Sequence, residues 1–417
     1  MNVIIPKKAE LASKLEATTI PVSSEDKQLA LEVIEKTPLP TTRTEAWKYT
    51  RVARIGKIAF TNQQAKIKSS IEKYIIDFSA ATLVFVNGHF EKELSSDNLP
   101  EGVSWNLLSA LDVLPKTKLK LENEIFNSLN TAHLTDGIQL TVAPNIVVEQ
   151  PIQILHILKG TKVISNFKVL VNAEKSSQAS IIQGYFSEEG ENKFCNVISE
   201  INVAENATLS IDKIQYEDEH SFHISTEEVS QECNSLFTMN TSTLNGGLVR
   251  NNLHINVIGE NCNSILNGIY LTKDKQHVDN HTIVNHVAAH CESHELYKGV
   301  MDDKSTAVFN GKVFVRPDAQ KINAFQSNGN VLLSDDATVN SKPELEIYAD
   351  DVKCSHGSTT GQLDEEALFY LRARGLSKHS AHQLMVSAFI GEVLDMFKNK
   401  NVRSYIDALL QERFGWE

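Results

Sequence analysis

From about residue 140 to residue 360, apolar and polar positions alternate along the chain. Phe167, Val169 and Val171 alternate with polar neighbours, as do Leu209 and Ile211, and Leu253, Ile255 and Val257. A period of two places successive side chains on opposite faces of a strand. Glycine, asparagine and serine punctuate the runs, and stretches with helical period are almost absent. The pattern also repeats: "VNAEKSSQASII", "INVAENATLSI", "VSQECNSLF" and "VIGENCNSIL" share an apolar strand end, a glutamate, a small polar turn and a new apolar strand. The first apolar residues after each turn, Ile181, Leu209, Leu236 and Ile265, are 28, 27 and 29 apart, and Leu296 follows 31 later. Beyond it, Val308, Phe325, Val339 and Val352 come 17, 14 and 13 apart, about half the earlier period. A regular repeat made of strands alone predicts a β-solenoid, whose coils bury one strand face against each other. A large β-sandwich is the alternative, but it needs no regular period.

Both ends read as helical. "SSEDKQLALEVIEK" opens with a capping serine and acidic first-turn residues, and it places Leu29, Val33 and Ile34 at helical spacing. Pro38 and Pro40 end it. "TTRTEAWKYT" (41–50) is mixed polar and aromatic, and residues 60–110 are ambiguous apart from a strand at "ATLVFVNG". Near the other end, "LDEEALFYLRARG" runs to Gly375, a suitable residue just past a helix C-terminus. "SKHSAHQLMVSAFIGEVLDMF" follows, capped by Ser377, with Leu384, Ala388, Val393 and Met396 expected to share a face. "RSYIDALLQERF" closes the chain. Such helices can cap a solenoid or offer apolar faces to a partner.

Composition narrows the class. The chain has 417 residues, 41% of them hydrophobic, which suffices for a sizeable core. Forty Lys and Arg against 53 Asp and Glu give a net charge of −13, unsuited to general nucleic-acid binding. No apolar stretch approaches membrane-spanning length, and the N-terminus lacks a signal-peptide core. Five cysteines without CxxC make no disulfide framework. These features predict a soluble protein of the reducing cytoplasm.

Phosphate-loop and dinucleotide motifs are absent, as is a GxSxG elbow. The densest ligand cluster is "HVDNHTIVNHVAAHCESH", with His277, His281, His286, His290, Cys291 and His294. Its spacing matches no metal module, and polar residues on solenoid faces and turns account for it. A second pair lies in "DDVKCSHGSTTG". If this segment is extended, Cys354 and His356 share a face with Cα atoms roughly 7 Å apart. Thiolate and imidazole suit iron, copper or zinc, but two ligands leave a site incomplete on one chain. A packed cysteine beside a hydrogen-bonded histidine is the plainer alternative.

"PELEIYADDVKCSHGSTTGQLDEEALFYLRARGLS" resembles the signature of the SufB/SufD family, the scaffold proteins of SUF iron–sulfur cluster assembly. "HCESHELYKGVMDDKSTAVFNGKVFV" and "AQKINAFQSNGNVLL" are similar to its core. "TRTEAWKYT" and the "SHG" at 355–357 point to the SufD side of that family. The resemblance implies a mainly β fold: a right-handed β-helix over 141–361, flanked by an N-terminal helical and mixed region (1–140) and a C-terminal helical region (362–417). It implies a non-enzymatic scaffold that pairs with SufB through the β-helix edge and binds the SufC ATPase through its C-terminal helices. Alone, the chain would have a homodimer open to it. His356 would help build a nascent iron–sulfur cluster at the SufB interface, with Cys354 a weaker contributor. No cofactor would be tightly bound to the isolated chain, and neither nucleic acid nor membrane would be a partner. The contrasting class is a β-solenoid metal-dependent hydrolase or sugar-acting enzyme.

Overall fold

The small polar residues of the repeat sit at corners. Ser176, Asn206, Asn234, Asn261, His290 and Lys321 all have φ between +57° and +60°. Asparagine tolerates this left-handed region better than most residues. Asn234 Nδ2 donates to Asn206 Oδ1 at 3.1 Å and Asn261 Nδ2 to Asn234 Oδ1 at 3.2 Å, so one corner stacks on the next.

Between corners run strands in two sheets, most of them nine to eleven residues long. The computed structural model describes residues 10–68, 70–96 and 98–415. One sheet stacks β1 (Ala81–Val86), β5 (Ile152–Leu158), β7 (Gln178–Ser187), β9 (Thr208–Tyr216), β11 (Leu236–Asn245), β13 (Asn263–Thr272), β15 (Glu292–Met301), β17 (Ile322–Leu332) and β19 (Val352–Gly361), with β2 (His89–Phe90) antiparallel on β1. The other stacks β4 (Asp136–Val142), β6 (Ile164–Ala173), β8 (Phe194–Val203), β10 (Phe222–Gln231), β12 (Leu248–Val257), β14 (His277–His286), β16 (Thr306–Val315) and β18 (Thr338–Ile347), with β3 (Val103–Leu107) antiparallel on β4. All other pairings are parallel, and the chain crosses to the opposite sheet after almost every strand. The molecule is therefore mainly β, a solenoid of about eight coils. Its sheets already include strands ahead of residue 141.

The apparent halving of the period after Leu296 comes from counting strands differently. In register, Thr208, Leu236, Asn263, Glu292, Asn323 and Lys353 stack one coil apart, and the full period persists to the last coil. The shorter spacing is the distance between consecutive strands in opposite sheets, and it holds throughout: 12 residues from Leu248 back to Leu236, 16 from Ile322 back to Thr306.

Inward positions build the main core. Ile181, Ile211, Met239 and Leu266 from one sheet meet Val197, Val249, Val278 and others from the second. Outside the second sheet lies the N-terminal part, with α1 (Ser24–Lys36), capped by Ser23, and the fully buried α2 (Ile125–Ala132). "TRTEAWKYT" is its anchor. Trp47 stacks on the Arg250 guanidinium at 3.9 Å, while Arg250 Nη1 donates to Ala46 O and Asp279 Oδ2, each at 2.7 Å. Thr50 also donates to Asp279. Outside the first sheet lie α4 (Lys378–Leu394) and α5 (Lys400–Phe414), which bury Val386, Ile390, Val393, Ile406 and Leu410 against Leu155, Ile182, Phe186 and Ile269. The packed face of α4 is thus Ala381, Val386, Ile390 and Val393; Leu384, Ala388 and Met396 are exposed. Leu384 and Val393 are nine residues apart, half a turn out of phase, so they cannot share a face. The short helix α3 (Glu365–Ala373) buries nothing.

Candidate functional site

β19 is the terminal strand of its sheet, hydrogen-bonded to β17 on one side only. Every residue from Ser355 to Gly361 is exposed. Cys354 pairs in register with Ala324 and His356 with Gln326; both neighbours are buried and point inward. Cys354 and His356 therefore face the interior side of the last coil, where no further coil covers them. The extended geometry read from the sequence is present. Cys354 is half-buried against the main core, and burial pushes its thiol pKa upward. His356 is exposed, and among the described residues its ring makes no hydrogen bond or ion pair.

The column leading to His356 changes character along the solenoid. From the second coil it reads Ile152, Ile181, Ile211, Met239, Leu266, then Glu295, Gln326, His356. Gln326 Nε2 donates to Glu295 Oε2 at 2.7 Å. A neighbouring polar chain runs from Tyr270, whose hydroxyl donates to Asn330 Oδ1 at 2.6 Å. It continues through Asn328 to Ser341 and on to Ser358, which donates to Ser341 at 2.7 Å. The open end is thus polar inside as well as at its rim.

The histidine-rich stretch does not converge. His277 and His281 face outward, bonding Thr50 and Asp279. His286 is buried and bonded to Ser293, with its pKa pushed down to about 4 by burial. His290 is a left-handed corner, and His294 stacks on Phe325. Cys291 is buried with its sulfur against the Gly259 and Ala289 carbonyls. Among the described residues a different set comes together: a thiol sulfur of Cys195, a carboxylate oxygen of Glu217 and a ring nitrogen of His223 lie within 4.8 Å of one another, all buried. No local motif announces it. The usable signal is the repeat itself, because Cys195 and His223 are one 28-residue coil apart and in register.

The chain matches two family models over nearly its whole length: "SufBD protein N-terminal region" at 9–154 and "SUF system FeS cluster assembly, SufBD core domain" at 156–389. It is 32% identical over 390 residues to an iron–sulfur cluster assembly SufBD family protein of Synechocystis, covering 88% of this chain and 86% of that one. It is 28% identical to the iron–sulfur cluster assembly protein SufD of Escherichia coli (93% and 92% covered) and 23% identical to SufD of Bacillus subtilis (72% and 69%). This chain therefore belongs to the SufB/SufD family of SUF iron–sulfur cluster assembly proteins.

Proposed function

We propose that the chain is a SufD-type scaffold subunit, without enzymatic activity of its own, that works in the cytoplasm. It pairs with SufB through β19, and a nascent iron–sulfur cluster is built there with His356 as a ligand and Cys354 as a helper. The coils would have the right-handed sense that parallel crossovers favour. The observation that carries this reading is the unequal protection of the two terminal strands. Edge strands are commonly guarded by charge or proline. β18 carries Pro343 with Lys342, Glu344 and Glu346. β19 has no charged residue after Lys353 and is exposed along most of its length. An unguarded edge suits addition of a strand from another chain, either SufB or, in its absence, a second copy.

The ligand chemistry fits a cluster that must be assembled and passed on. Neutral imidazole is a weaker iron ligand than thiolate and is easier to exchange. One exposed histidine is an incomplete site, so assembly waits for the docked partner. For SufC, α3 is the better surface within 362–417, because α4 and α5 are already packed on the solenoid. Phe369 and Tyr370 on α3 are 75% and 56% exposed. Membership of the family favours the scaffold over a solenoid hydrolase. No described helix is long and apolar enough to cross a membrane.

The test is anaerobic reconstitution of the three-protein complex with iron and sulfide, read by absorbance and metal content. His356→Ala should fold and assemble normally, with stability within about 0.5 kcal/mol of wild type. Cluster yield should fall severalfold, and Cys354→Ala should have the smaller effect. Full yield from an assembled His356→Ala complex would remove this histidine from the site.

A further inference from the structure

We propose that Cys195, Glu217 and His223, with His156 completing the set, form an internal binding site for one divalent cation of the zinc class, inside the solenoid and separate from the β19 edge. Three residue types with ligand atoms meet there: Cys195, Glu217 and His223 lie within 4.8 Å of one another, and His156 lies beside Cys195. Cys195 lies on β8 and His223 beside it on β10; Glu217 follows β9, and His156 lies on β5. His223 Nδ1 is 2.9 Å from Glu217 Oε2, and Cys195 Sγ is 3.7 Å from His156 Nδ1. The far nitrogen of His156, Nε2, is 2.9 Å from Ser165 Oγ, which holds the ring with Nδ1 aimed at the sulfur. Anchoring of the second imidazole nitrogen is a recurrent feature of metal-ligating histidines.

Two atoms in the cluster lack hydrogen-bond partners although they are fully enclosed, Glu217 Oε1 and His223 Nε2. A buried carboxylate with an unmatched oxygen is costly, and nearby cationic charge would offset that cost. Lys213 does not supply it, since its ammonium is bonded to Ser225, Glu227 and Asn251. A dication bound by thiolate, carboxylate and two neutral imidazoles makes a set with no net charge, which suits a fully buried site. On loading, the Cys195 thiol proton leaves to solvent, and each histidine keeps the single ring proton of a neutral imidazole. The ligand atoms would settle at roughly 3.5 Å from one another, as tetrahedral zinc bond lengths require, the wider separations closing and the 2.9 Å His223–Glu217 contact opening. Thiolate, imidazole and carboxylate together favour zinc over magnesium or calcium. Because coils enclose the site, the ion would enter during folding.

The chain should be expressed alone in cobalt-supplemented minimal medium and purified whole without chelator. Near-equimolar bound metal is expected, cobalt or zinc, with a thiolate-to-cobalt charge-transfer band. Cys195→Ser should lose the band, and Glu217→Gln should lower metal content. His356→Ala should keep both, which separates this site from the one at β19. Wild-type chain that carries no metal, or whose band survives in Cys195→Ser, overturns the proposal. The wild-type result decides even if a variant fails to fold.

Discussion

Glu295 shows how strongly one residue's setting can depart from its solvated reference. It lies fully enclosed between Leu266 and Gln326 in the column that ends at His356. Burial pushes its carboxyl pKa up to about 7 from an ordinary 4.5, although the hydrogen bond from Gln326 pulls the other way. A folded-state pKa above the unfolded value means that the folded chain holds the proton more tightly. The associated stability is complete below about pH 4.5 and is lost as pH rises through 7. Two and a half pH units correspond to about 3 kcal/mol at most. Glu295→Gln, which cannot ionise, should match wild type near pH 4.5 and exceed its thermal stability at pH 8. Subtracting the two unfolding profiles removes the opposite trend from His156 and His286, whose burial holds them neutral and costs stability as pH falls. A flat difference would mean that Glu295 is not protonated in the fold. None of this was legible in the sequence. Cys354 and His356 stood out because they are two apart on one strand, whereas Glu295 and Gln326 reach the same column only through coil register.

The elements divide into those readable from local pattern and those hidden by a polar interior. Alternation exposed β6, β9 and β12, and the capping serines marked α1 and α4. Strands such as β11, "LFTMNTSTLN", bury polar residues on both faces: Thr241 shares the inward face with Phe237 and Met239, and Asn240 lies on the opposite face. Their two faces therefore look alike in sequence, and an inter-sheet spacing reads there as a change of period. The corners were plain as turn residues, and the structure adds their backbone requirement. Asn234 sits at φ +58° and bonds the corners above and below. Asn234→Ala should cost about 1–2 kcal/mol through left-handed strain, while Asn234→Gly should be close to neutral. Equal losses for both would assign the effect to the side-chain bonds instead. At the last coil, Ser355→Lys with Thr359→Lys should blunt β19 and weaken pairing with SufB about tenfold or more, with the monomer's melting unchanged. Undiminished pairing, measured by sedimentation, would place the interface elsewhere.

At the scale of the molecule, the two outer faces of the solenoid have different covers. The N-terminal part seals the second sheet through Trp47, Arg250 and Asp279. Asp279 is fully buried, and Arg250 holds its carboxyl well below the usual range against the pull of burial. The C-terminal helices, together with Ile71, Tyr74 and Ile76 of the N-terminal part, cover the first sheet in one apolar layer with Val84, Leu155, Ile182, Phe186, Ile214, Leu244, Ile269 and Leu271. Sequence alone left these helices open to either role, a cap or a partner surface. The packing assigns α4 and α5 to the cap and leaves α3 exposed, so the two roles can be tested separately. Fully burying one large apolar side chain contributes about 1.5–3 kcal/mol, and a domain's whole stability is about 5–15 kcal/mol. Removing residues 376–417 should therefore produce an aggregating or unfolded chain rather than a trimmed solenoid. Phe369→Ser with Tyr370→Ser instead changes only exposed positions, so its melting should match wild type. If α3 is the docking surface, this double variant should lose the ATPase in a pull-down with purified SufC while still pairing with SufB. Retained SufC binding by a well-folded double variant would move that contact off α3. A stable, monomeric 1–375 fragment would show that the helical cover is dispensable to the solenoid.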